Sequence, residues 1–193
     1  MNRATRDLRR PGPRREESRT ILVVTEGQTE KEYLEGYRQH LRSLPVSVTT
    51  VKVVNGKGEP SKVLRTAQDR SAAGDFDEVW LLMDVDEHAR LPEVLGDARG
   101  AGFFSAVSNP CFEVWVVWHF GEVRPEVGRR ELQQAARRNG VDKSVPGTFP
   151  FDRVGEALTR SAGHPAAVNE IGPNPSTAVP SLIEAINAGT RRP

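Results

Sequence analysis

Three carboxylates follow apolar runs that read as buried strands. Ile21-Leu22-Val23-Val24-Thr25 leads into Glu26-Gly27, and Val79-Trp80-Leu81-Leu82-Met83 leads into Asp84-Val85-Asp86-Glu87-His88. Short apolar runs that stop at an acid suit parallel strands whose C-terminal ends open onto a site. Gathered there, Glu26, Asp84 and Asp86 would form a cluster of like charges. Desolvating such charges is costly unless a partner offsets them, and a divalent cation does so directly. The expected chemistry is that of Mg2+, with Mn2+ as its substitute. Mg2+ keeps several waters, binds through one or two carboxylates plus a substrate phosphate, stabilises charge on phosphoryl oxygens and orients a water for attack. Alternation along the second strand puts Asp84 and Asp86 on one side if the strand extends that far, with Val85 turned away.

The elements that must position these acids alternate between strand and helix patterns. Gly27 lets the chain turn at the strand end and leaves room for a phosphate to approach. A helix is expected over residues 29–44: Thr29 and Glu32 have capping-box spacing, and Tyr33, Leu34, Tyr37, Leu41 and Leu44 form the helical stripe. Pro45 closes it before a half-buried strand over residues 46–54. In the loop Asn55-Gly56-Lys57-Gly58-Glu59, Lys57 is either a phosphate contact or an exposed loop lysine. Pro60 opens a helix that ends near Gly74. A helix over 91–98 and a strand over 103–107 follow. Four strands with intervening helices predict an α/β fold with an open, mostly parallel sheet flanked by helices. From Gly121 onward strand character is lost, and helices are expected over 125–138, 151–161 and 177–188, the last capped by Asn174 and Thr177.

The segment Ser108-Asn109-Pro110-Cys111-Phe112-Glu113-Val114-Trp115-Val116-Val117-Trp118-His119-Phe120 predicts a buried helix, with Asn109 as N-cap and Pro110 at its first position. Glu113 is its only acid, placed where the helix dipole favours negative charge. It either hydrogen-bonds to backbone or faces the acidic cluster as a further metal ligand. His119 reads as a core histidine ahead of a ligand, and Cys111 as an inert core thiol. The aromatic helix over 112–120 could also help build a homo-oligomer interface.

Lys and Arg number 27 against 26 Asp and Glu, so the net charge of +1 identifies no partner. Its distribution says more. Residues 1–19 carry Arg3, Arg6, Arg9, Arg10, Arg14, Arg15 and Arg19 around Pro11-Gly12-Pro13, which reads as a flexible basic arm, either idle or in contact with a phosphate backbone. The organisation expected is this arm, an α/β core over 20–120 and a helical C-terminal part of the same domain over 121–193. A single cysteine rules out an internal disulfide and a multi-thiolate zinc site. No run has the length of a membrane span and the N-terminus has no signal-peptide core, so a cytoplasmic protein without membrane contact is expected.

Thr25-Glu26-Gly27-Gln28-Thr29-Glu30, Asp84-Val85-Asp86-Glu87-His88, Ser108-Asn109-Pro110-Cys111-Phe112-Glu113-Val114-Trp115 and Asn174-Pro175-Ser176-Thr177, in that order, resemble the RloB family over about residues 20 to 190. That family resembles the Toprim fold, so the resemblance implies a Toprim-like core of about four strands and Mg2+-dependent phosphodiester chemistry. It implies that Asp84 and Asp86 hold the metal and that Glu26 serves as ligand or acid/base. Lys143 falls where RloB-like proteins commonly carry a lysine, and a phosphate or transition-state role would follow. Glu30 and Glu87 are less certain members, Glu30 reading first as a complement to the helix dipole. Gly27, Lys57 and Asn109 complete the expected phosphate contacts. The resemblance further implies a prokaryotic anti-phage setting and an ATPase partner of the RloA type. The chain has no tyrosine in a strand-cleaving context and no zinc module, which argues against topoisomerase or primase roles. The function expected is a small nuclease acting on DNA or RNA. The alternatives are a nucleotide phosphohydrolase and a catalytically silent subunit that docks on nucleic acid or the ATPase.

Overall fold

Alternation along the strands builds two separate cores. β1 (Thr20–Thr25) sends Ile21 and Val23 to one side of the sheet and Leu22 and Val24 to the other, all four fully buried. β3 (Glu78–Asp84) repeats this, with Trp80 and Leu82 on the first side and Val79, Leu81 and Met83 on the second. Strands buried on both faces are what a parallel sheet with two helical layers demands. The computed structural model describes residues 19–44, 49–56, 58–85 and 89–188; Lys57, Asp86, Glu87, His88 and residues 1–18 of the expected arm lie outside the described residues.

The described residues form one sheet in the order β2-β1-β3-β4-β5, completed by β2 (Thr50–Asn55), β4 (Phe104–Asn109) and β5 (Ser176–Thr177). β1 to β4 are parallel, and β5 returns antiparallel to β4. α2 (Pro60–Ala72) and α3 (Leu91–Gly100) cover the Leu22 side. α1 (Gln28–Ser43), α4 (Glu113–Trp118) and α7 (Val179–Ala188) cover the Ile21 side, and α5 (Arg129–Arg138) and α6 (Val154–Ser161) pack on α4. The step from β1 to β2 runs one way along the sheet through α1. The steps to β3 and β4 run the other way through the opposite layer. A common crossover handedness requires that change of layer. Neighbouring strands β1 and β3 therefore send their chains to opposite faces, which leaves a crevice at their C-terminal ends.

The α/β class and the mostly parallel open sheet are as expected from the Toprim-like reading. Several local expectations are corrected. The C-terminal part is not strand-free: Ser176 and Thr177 pair with Asn109 and Ser108, and the Ser108 and Thr177 hydroxyls lie 2.8 Å apart. Asn109 ends β4, the Asn109–Pro110 bond is cis, and the N-cap of the shorter α4 is Phe112. α5 begins at Arg129 rather than 125. α1 begins two residues after Glu26 with Gly27 as N-cap, so Thr29 is not a cap; Glu32 instead accepts from Gln28 Nε2 at 2.8 Å and Val145 N–H at 2.9 Å. Leu44 is left at the exposed end of that helix. Of the capping pair expected for α7, Thr177 Oγ1 accepts the Val179 N–H at 3.2 Å, whereas the Asn174 amide donates to Val127 O at 3.0 Å. Arg19 belongs to the sheet and not to the arm: its carbonyl accepts the Thr50 N–H at 2.8 Å and its guanidinium meets Glu78.

Helix α4 is an internal element. Trp115 and Trp118 are fully buried and Phe112 is 1% exposed, so this helix does not offer the aromatic interface expected of it. Its packing partner is Tyr33 of α1, whose ring lies within 5.5–6.3 Å of Phe112, Trp115, His119, Phe149 and Phe151. Among the described residues no helix is long and apolar enough to cross a membrane.

His119 is the core histidine expected. Its Nδ1 lies 3.0 Å from Trp115 O, which can only accept, so Nδ1 carries the proton and Nε2 accepts from the Tyr33 hydroxyl at 3.1 Å. Burial pushes its pKa down to about 4 from an ordinary 6.5. The unfolded chain then binds a proton between those values that the native state refuses. The contribution is complete above about pH 6.5 and lost as pH falls toward 4, on the order of 3 kcal/mol. Denaturant unfolding from pH 7.5 to 4 is expected to be less steeply pH-dependent in His119→Gln than in the wild type by that amount.

Candidate metal and phosphate site

Glu26 and Asp84 meet at the crevice between β1 and β3. The Glu26 N–H donates to Leu82 O at 3.0 Å, which carries the β1–β3 pairing one residue past β1. Its Oε2 then accepts the Asp84 N–H at 3.2 Å. The two expected acids are thus joined through a main-chain hydrogen bond. Asp84 lies two residues beyond Leu82, so alternation turns it to the Trp80–Leu82 side, toward the N-terminal ends of α1 and α4. Those two ends bring the other carboxylates. Glu30 is at the third position of α1, and Glu113 is the first residue of α4.

Glu30 turns back over its own helix start. The backbone N–H groups of Gly27 and of Glu30 itself favour its charged form, as at the acidic end of a capping box. A Cβ built on Gly27 would stand 2.6 Å from Glu30 Oε2. A side chain at Gly27 would push the Glu30 carboxylate aside, whereas the Gly27 φ of −115° is open to any residue. The phosphate contact expected at Gly27 meets that carboxylate as its immediate neighbour.

The four acids repel one another, and two of them, Glu30 and Asp84, are buried. Burial, and after it Glu113 and Glu26, push the Glu30 pKa up to about 7. Asp84 is 8% exposed, and burial and then Glu30 push its carboxyl well up, with Arg129 opposing and Glu113 and Glu26 adding to the rise. Arg129 Nη2 lies 3.4 Å from Asp84 Oδ2 and 3.1 Å from Pro110 O. Cys111 sits against Glu113, and burial with the nearby acids pushes its thiol pKa far up, which holds it protonated and poor as a nucleophile.

A cleft of about 440 Å3 opens beside Glu113, lined by Gln28, Thr29, Gln133, Arg137, Val141, Asp142 and Lys143. Lys143 thus shares a wall with Glu113, although sequence places them far apart. Arg137 Nε is bound to Asp142 at 2.8 Å. A larger cleft of about 930 Å3 runs along the other half of α1, near Arg38, Arg42 and Phe149. Neither cleft is lined by Glu26 or Asp84; the smaller one adjoins the acids through Glu113. Asn109, the remaining expected phosphate contact, donates its amide to Gly172 O at 2.8 Å beside β5.

The donor set suits an oxygen-loving ion that keeps much of its water. Among the described residues no three His, Cys, Asp or Glu side chains form a ready-made ligand group, and Asp86 lies outside them. Mg2+ needs only one or two carboxylates, with water and substrate phosphate supplying the rest. Glu30, which the sequence offers first as a complement to the helix dipole, stands among the acids as well. Arg129 left no signal in the sequence, since its approach to Asp84 is purely tertiary.

Glu30 has a measurable cost. Its folded pKa near 7 exceeds its unfolded value near 4.5, so the native state gives up its proton later than the unfolded chain. Stability from this group is full below about pH 4.5 and declines as pH rises to 7, by on the order of 3 kcal/mol. In EDTA, Glu30→Gln is expected to unfold like wild type at pH 4.5 and to be more stable by about that amount at pH 8.

The family model described as RloB-like protein matches residues 21–186, which takes in Glu26, Asp84, Glu113 and the Asn174-Pro175 turn. No curated protein and no solved structure matches the chain. With the match running across nearly all of the fold and both strand-end acids, the chain belongs to the RloB-like family.

Proposed function

We propose that this protein is a divalent-metal-dependent nuclease that hydrolyses phosphodiester bonds of DNA or RNA. The observation that carries this reading is the convergence of Glu26, Glu30, Asp84 and Glu113 in one crevice, where burial and mutual repulsion raise Asp84 and Glu30. Acids that repel one another at close range suit a divalent cation as their shared counter-charge. Glu26 and Asp84, with Asp86 and Glu113, would hold Mg2+ or Mn2+. The bound ion supplies charge stabilisation on the phosphoryl oxygens and a water of lowered pKa. Lys143 and Arg137 line the neighbouring cleft and would draw the nucleic-acid backbone across the acids. Glu30, with its pKa near 7, is matched to receiving or giving a proton at neutral pH. The same reading includes an anti-phage role in the prokaryotic cytoplasm, an ATPase partner of the RloA type and self-association; the sequence resemblance supports the first two.

One observation favours the second reading, a silent subunit that binds nucleic acid or the ATPase: Asp84 already has Arg129 as a counter-charge. The two readings separate on metal. Under the nuclease reading, cleavage of plasmid DNA or total RNA with Mg2+ or Mn2+ and the ATPase falls by roughly 10^2–10^3-fold in Asp84→Ala and in Glu26→Ala. Cleavage that survives both substitutions would sink the assignment. Because the ion competes with protons on raised carboxylates, Mn2+ affinity is expected to climb between pH 6 and 8 by up to about tenfold per unit. Calorimetric titration measures it.

A further inference from the structure

We propose that Arg129 is a two-position cation: it rests on Asp84 when no metal is bound and moves to the substrate phosphate when a divalent ion takes its place. The proposal rests on the metal reading above and names how metal and phosphate binding are tied together.

The contact has the marks of a resting position. Arg129 Nη2 to Asp84 Oδ2 is 3.4 Å, longer than the roughly 2.7–2.9 Å of a strong charge-assisted bond. The same nitrogen also reaches Pro110 O at 3.1 Å. Asp84's side chain is 12% exposed and Arg129's 34%, so the pair has one dry end and one wet end. A metal ion and a guanidinium on the same buried carboxylate repel each other, so a divalent ion on Asp84 weakens the hold of Arg129 there.

The guanidinium has somewhere to go. Arg129, Gln133 and Arg137 recur at four-residue spacing and so share one face of α5. Gln133 and Arg137 line the cleft beside Glu113, and Arg129 stands one helical turn before Gln133, at the end of α5 that meets Asp84. Its planar fork matches a phosphate bidentately. The main chain before it is held in place, so the movement belongs to the side chain. The Asn174 amide donates to Val127 O at 3.0 Å, and the Glu126 N–H donates to Asn174 O at 3.3 Å.

Linkage makes this testable, because a cation that leaves Asp84 for phosphate couples the two ligands. Mn2+ alone is titrated by electron paramagnetic resonance into wild type, R129Q and R129K. Anisotropy of a labelled phosphorothioate single strand is read with and without Mn2+. R129Q is expected to bind Mn2+ about three- to tenfold tighter than wild type, and to bind the oligonucleotide in Mn2+ about tenfold weaker. A merely structural arginine would weaken both. Folded R129Q with unchanged or weaker Mn2+ affinity, beside a wild type that binds Mn2+, overturns the proposal and leaves the metal site standing. No Mn2+ binding by either overturns both readings together. Should R129Q fail to fold, R129K decides: wild-type Mn2+ affinity with weakened oligonucleotide binding supports the proposal, and undiminished oligonucleotide binding overturns it.

Discussion

The Glu26 carboxylate and the Asp84 main chain hold together a place where the sheet divides. Strands β1 and β3 lie side by side, yet the chain leaves one for α1 and the other for the opposite layer. The crevice between those departures is common to open α/β sheets. Here it is bridged by a hydrogen bond from the Asp84 N–H to Glu26 Oε2. That bridge fixes the spacing of the two acids through the backbone and keeps their charges close together. Everything else near the crevice responds to this constraint. Glu30 is drawn over Gly27, Cys111 is kept as a thiol, and Arg129 leans in from α5.

Like charges held this close need something stiff behind them, and the aromatic layer beneath α1 and α4 provides it. Tyr33 packs against rings from α4 and from the segment around Phe149 and Phe151, and its hydroxyl is spent on His119. Fully buried Trp115 and Trp118 leave α4 little freedom to rotate Glu113 away from the cluster. Rigid apolar packing below and strained polar groups above are two halves of one arrangement, in which the core keeps the acids from relaxing.

The framework was legible from sequence because strand runs and helical stripes are local signals. Val79 to Met83 could hardly be anything but a buried strand, and Glu26 and Asp84 stood at its ends and its neighbour's for that reason. What could not be read were contacts made across the fold. Ser176 and Thr177 look like the approach to a helix, and their pairing with Asn109 and Ser108 depends on a chain that returns from far downstream. Pro110 suggested a helix start by propensity, whereas the segment it occupies closes β4 and meets Arg129. Thr29 and Glu32 fitted a capping pattern that the actual start of α1, two residues earlier, hands to Gly27 and Glu30.

The short antiparallel strand β5 carries a consequence for biosynthesis. Its residues flank Asn174, whose amide steadies the turn leading to Arg129, and they complete the edge next to Asn109. A ribosome delivers β1, β3 and β4 long before it delivers this segment. The acids of the crevice are therefore synthesised before the segment that braces the turn beside them, so that a chain cut short during translation would lack the frame that orients its arginine.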